Sequence, residues 1–125
     1  MPLIEIQALP QAKKVNTPEV LTSLAQSVGQ ALSIPSQAVR CVWQDLQPGY
    51  YAEGLQIGEL QPENSHPILV KVLLFEGRPQ ELIEQALQTV ADNLQTSLQM
   101  SAKNFFISYY EAKSGQLFVG GQLKR

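Results

Sequence analysis

The hydrophobic positions of this chain switch between two periods, and the switches mark its elements. Leu3, Glu5 and Gln7 point one way and Ile4, Ile6 and Ala8 the other, the period of two that marks a strand with one buried face. Pro10 ends it. After a polar stretch the period changes: Val20, Leu21, Leu24, Ala25, Val28, Ala31 and Leu32 form one helical stripe. Thr17 is predicted as its N-cap, with Pro18 at the first helical position and Glu19 in the first turn. Ile34-Pro35-Ser36 stops the helix, and residues 39–45 predict a second strand. Pro48-Gly49 marks a turn leading to Tyr50-Tyr51, and Leu55-Gln56-Ile57 a short strand.

Residues 61–67 are polar, carry Pro62 and Pro67, and read as a linker. Then the pattern restarts. Residues 68–75 (ILVKVLLF) predict a strand buried on both faces. Glu76-Gly77-Arg78-Pro79 turns the chain into a second helix, whose stripe is Leu82, Ile83, Ala86, Leu87, Val90, Ala91, Leu94 and Leu98. Residues 104–111 predict a fourth strand, and Leu117-Phe118-Val119 with Gly120-Gly121 closes the chain. The order is β-α-β, linker, β-α-β. It predicts an α/β (α+β) fold in one domain, 1–125, with a first unit at 1–60 and a second at 67–125. Each unit favours a parallel strand pair with a right-handed crossover. Side by side they give a four-stranded mixed sheet with two helices on one face, leaving an apolar face that self-association would cover.

Composition narrows the function classes. A length of 125 residues suits one domain, and 44% hydrophobic against 16% charged residues marks a globular chain. The net charge is −2 and the basic residues are scattered, which argues against nucleic acid. No apolar run is long enough to span a membrane, and no signal peptide is evident, so a cytoplasmic location is expected. One cysteine, Cys41, and one histidine, His66, exclude an internal disulfide and a Cys/His metal cluster. Cys41 reads as a small buried hydrophobe and His66 as a surface residue.

The candidate chemistry sits at the start. If Met1 is removed, Pro2 becomes a chain-terminal secondary amine. Burial, or a nearby arginine, disfavours its charged form, and an amine neutral near pH 7 is a usable general base.

With these pieces in order, the chain resembles the tautomerase superfamily, whose members include 4-oxalocrotonate tautomerase and macrophage migration inhibitory factor, in a fused tandem β-α-β form. The resemblance rests on Met1-Pro2, Val39-Arg40-Cys41-Val42, Gly49-Tyr50-Tyr51, Phe75-Glu76-Gly77-Arg78, Phe106-Ile107-Ser108-Tyr109-Tyr110 and Phe118-Val119-Gly120-Gly121. It implies a cofactor-free enzyme, a homotrimer with sheets lining a short barrel, and sites at the barrel ends close to subunit boundaries. It implies proton transfer in a small anionic 2-oxo acid or its enol, with Pro2 as general base and then acid. Arg78 and Arg40 would bind the substrate, Tyr51 would wall the pocket, and Phe106 and Ser108 stand where one branch has a tyrosine and an asparagine. Related decarboxylase or dehalogenase chemistry stays open, since Asp45, Glu53 and Glu111 are available to activate water and spacing selects none. Lys13 and Lys14 occupy the place of the Glu-Gly-Arg turn in the first half and read as a solvated loop. The alternative is a non-catalytic small-molecule-binding or assembly protein on the same fold.

Overall fold

The computed structural model describes residues 1–125. Its main sheet has four strands in the order β2-β1-β5-β6: β1 is Leu3–Ala8, β2 Arg40–Asp45, β5 Ile68–Phe75 and β6 Phe105–Ala112. Within each half the strands are parallel, β1 with β2 and β5 with β6. The halves join antiparallel through β1 and β5, with Leu3 opposite Leu73 and Gln7 opposite Leu69. Two ribbons complete the sheet structure, β3 (Ala52–Glu53) with β4 (Gln56–Ile57) and β7 (Leu117–Val119) with β8 (Gln122–Lys124).

Helices α1 (Thr17–Leu32) and α2 (Gln80–Leu98) lie side by side on one face of the sheet. Val20, Leu24, Val28 and Leu32 from α1, and Ala86, Val90, Leu94 and Leu98 from α2, close over Ile4, Ile6, Val70, Val72 and Leu74. The cap of α1 is Asn16 rather than Thr17: its side chain accepts from the Glu19 amide, and Thr17 is already helical. Both Asn and Thr are good caps, and the turn geometry decides between neighbours. No helix is long and apolar enough to cross a membrane.

Two sequence expectations need correction. Strand β5 is buried on one face only; Leu69, Leu73 and Phe75 are half-covered and Lys71 is exposed on the other. The continuous apolar run therefore includes a second face that is only partly covered in this chain. That open face also carries Val42, Phe106 and Tyr110, exposed at 49%, 60% and 49%. His66 is not a surface residue: it is 3% exposed. Its ring packs edge-on against Tyr51 at 5.1 Å, Nε2 lies 2.9 Å from the Gln56 carbonyl, and Nδ1 lies 2.9 Å from Ser65 Oγ. The linker is thus tied to the β3-β4 ribbon, with Glu53 accepting the His66 amide and Asn104 donating to the Pro62 carbonyl.

Candidate active site

The topology gathers the candidate residues at one end of the sheet. Parallel pairing sets the start of β2 beside the start of β1, and the Arg40 amide donates to the Pro2 carbonyl at 3.0 Å. Antiparallel pairing sets the end of β5 beside the same start, so the Glu76-Gly77-Arg78 turn follows Phe75 directly into the site. Gly77 has φ +106, a conformation that L side chains rarely adopt, so glycine is required for the turn that delivers Arg78. The Arg78 guanidinium donates through Nη1 to the Phe75 carbonyl at 3.2 Å.

A third cation arrives from the chain's other end. The β7-β8 ribbon turns through Gly120 and Gly121, both with positive φ, the signature of a two-residue primed turn. It returns Lys124 to the site, with Nζ 4.9 Å from the centroid of the Phe75 ring. Sequence reasoning missed Lys124 by treating Gly120-Gly121 as an end rather than a hairpin.

These groups act together on the amino terminus. Burial lowers the Met1 α-amino group from its ordinary value of 8.0, and the charges of Lys124, Arg78 and Arg40 lower it further. Pro2, the next residue, is fully buried. None of the three cations forms an ion pair. The nearby acids are engaged elsewhere: Glu111 accepts from the Tyr109 hydroxyl at 3.1 Å and pairs with Lys113 at 3.5 Å, while Glu76 accepts the Ser114 amide. Burial and Glu111 raise the Tyr109 phenol above its usual range, with Arg78 opposing. The arrangement is an anion-attracting end around an amine whose charged form is disfavoured.

The other candidates stand apart within one chain. Phe106 pairs with Leu69, which faces Gln7 at the far end of β1, and Ser108 pairs with Lys71 in mid-sheet. Tyr51 donates its hydroxyl to the Pro67 carbonyl at 2.7 Å, just before β5 begins and so also at the far end. Its phenol is raised by burial and by Glu53. Cys41 is half-buried on β2, and burial pushes its thiol up to about 11, which leaves it a poor nucleophile. No group of three His, Cys, Asp or Glu residues is placed to hold a metal ion. A cavity of about 210 Å³ lies between the Gln11–Val15 turn and the end of α2 and contains none of these residues.

The cation set occurs once. The left-handed caps Ser33 and Gln99, and the short 3-10 turns Ser36–Ala38 and Ala102–Asn104, repeat at one constant offset between the halves. At that offset Pro2 corresponds to Ile68, Arg40 to Phe106 and Arg78 to Ala12. The second half-site has neither the proline nor either arginine.

No protein-family model and no curated protein matches the sequence. Solved structures do match. Pt0534, inactivated by 2-oxo-3-pentynoate, superposes with a TM-score of 0.82 at 16% identity, over 98% of this chain and 94% of that one. A wild-type fused 4-OT in a symmetric trimer gives 0.77 at 21% identity, over 98% and 94%. N1, a member of the cis-3-chloroacrylic acid dehalogenase family, gives 0.78 at 14% identity, over 98% and 83%. At such identities the likeness is one of fold, and it extends over nearly the whole length of this chain. The chain has the tandem β-α-β fold of the tautomerase superfamily.

Proposed function

We propose that this chain is a cofactor-independent tautomerase that moves a proton in a small anionic 2-oxo acid or its enol. Pro2, with Met1 removed, is the base: its neutral amine takes a proton from the enol oxygen or the adjacent carbon and returns it to the other atom. Arg78 and Arg40 bind the carboxylate and the oxygen on which charge develops, a task that the planar guanidinium performs in two-point fashion. The observation that carries this is the convergence of Arg40, Arg78 and Lys124 on the amino terminus, whose charged form burial already disfavours. A homotrimer, as in the fused 4-OT neighbour, would cover the apolar sheet face and bring Tyr51, Phe106 and Ser108 of another copy towards the site.

The test is ketonisation of phenylenolpyruvate, followed by ultraviolet absorbance, on protein whose intact mass shows Met1 removed. Activity in the wild type and its loss in Pro2→Ala is the expected result. Activity that survives Pro2→Ala contradicts the role of Pro2. A second reading, a non-catalytic binding protein on this fold, is favoured by Phe106 and Ser108, which stand where one branch of the resembled family has a tyrosine and an asparagine.

A further inference from the structure

Phe75 holds two cations at once, and both by neutral contacts. Its carbonyl accepts from Arg78 at 3.2 Å, and its ring lies 4.9 Å below Lys124 Nζ. An aromatic face attracts a cation through its quadrupole but supplies no countercharge. A carbonyl likewise orients a guanidinium without neutralising it. Neither Lys124 nor Arg78 has an acidic partner, and Glu76 and Glu111 are occupied by the Ser114 amide and by Tyr109 with Lys113. The position of Lys124 is also fixed by its backbone. Its carbonyl accepts the Gly115 amide at 2.8 Å, and β8 holds it opposite Leu117. Glu76 ties the turn before this hairpin to the same strand-to-helix turn that carries Arg78. Lysine chains are costly to immobilise, so one oriented without a countercharge is preorganised for an anion from outside the chain.

We infer that Lys124 is a substrate-binding residue of this site, delivered by the C-terminal hairpin, whose ammonium takes the carboxylate of the anionic substrate while resting on Phe75. The inference builds on the proposed tautomerase function and adds a residue to it. The hairpin thereby acts as one wall of the site, and Glu76 is the residue that positions it. Lys124 has a second effect at the same place, since its charge opposes protonation of the chain-terminal amine. Its removal must therefore alter both affinity and the pH profile, in predictable directions.

The experiment compares wild type, Lys124→Gln and Lys124→Arg, with matched circular dichroism and thermal unfolding showing intact folds. Three readouts are used: kinetics on phenylenolpyruvate, calorimetric binding of its keto product phenylpyruvate, and titration of the Pro2 amine in protein labelled with nitrogen-15 proline. Lys124→Gln is expected to raise KM about tenfold, the size of one lost charge-assisted hydrogen bond, with kcat little changed. The acid limb of kcat/KM moves to higher pH, because the removed charge had lowered the amine pKa. Lys124→Arg keeps the charge and restores both. Wild-type KM and an unmoved pH limb in Lys124→Gln overturn the inference, as does Lys124→Arg behaving like Lys124→Gln. Should wild type not turn over phenylenolpyruvate, the tautomerase proposal fails on that arm, while binding and titration still decide on Lys124: unchanged phenylpyruvate affinity and an unchanged amine pKa overturn it.

Discussion

Phe75 shows how much of the site depends on single contacts. It fixes Arg78 through its carbonyl and Lys124 through its ring, and it lies just beyond the pair in which Leu73 faces Leu3 at the start of β1. Arg78→Ala, which leaves that backbone intact, is predicted to lower kcat/KM about a hundredfold, the range for removing one preorganised donor at developing charge. Unchanged kcat and KM contradict its assignment. Arg40 and Arg78 were named from the family resemblance; periodicity alone places them at strand ends and assigns them no role. Lys124 was hidden behind Gly120-Gly121, a pair that ends a strand and also makes a tight turn. Reading it as a hairpin flanked by Leu117-Phe118-Val119 and Gln122-Leu123-Lys124 would have found the lysine. His66 was misread for another reason: its burial comes from Tyr51 and from the chain around Gln56, distant in sequence, which periodicity does not report.

At the scale of elements, the periods located both helices and all four main strands, because a buried stripe and an alternating face are direct consequences of packing on one core. The ends were less legible. Asn16 and Thr17 are both competent caps, and only the three-dimensional turn selects Asn16. On the proposed function, the turn after β5 matters most, because it carries Arg78. Gly77→Ala places a Cβ at φ +106 and is predicted to cost about 1–3 kcal/mol in urea unfolding, the range for strained backbone. It is also predicted to raise KM by displacing Arg78. Wild-type stability together with wild-type KM contradicts the role given to this turn.

For the whole molecule, the sheet is covered on one face and open on the other. Val42, Phe106 and Tyr110, together with Leu69, Leu73 and Phe75, make the open face too apolar to remain solvated without cost. A homotrimer is the predicted state, read as three chain masses in sedimentation equilibrium. Phe106→Asp is predicted to shift it towards the monomer, because a buried unpaired carboxylate in such an interface is strongly unfavourable. It is predicted to lose activity at the same time, since on the proposed function another copy contributes residues to the site. A wild-type monomer that is fully active contradicts the shared site. The uncovered face was legible in the sequence from the placing of both helices on one side, although residues 68–75 themselves read as buried on both faces. Its division into apolar patches around Lys71 and Glu5 was not, because that depends on the register between the halves.

On the proposed function, the Pro2 amine freed by loss of Met1 takes over the surroundings of the Met1 amine, whose charged form is disfavoured by burial and by the charges of Lys124, Arg78 and Arg40. The most direct test is titration of nitrogen-15 proline-labelled protein, with Met1 removal established by intact mass. The account predicts one proline nitrogen titrating below 8.0, the ordinary value for a chain-terminal amine, and moving upwards in Arg78→Ala. An amine that titrates at or above 8.0, or a mature protein that retains Met1, contradicts it.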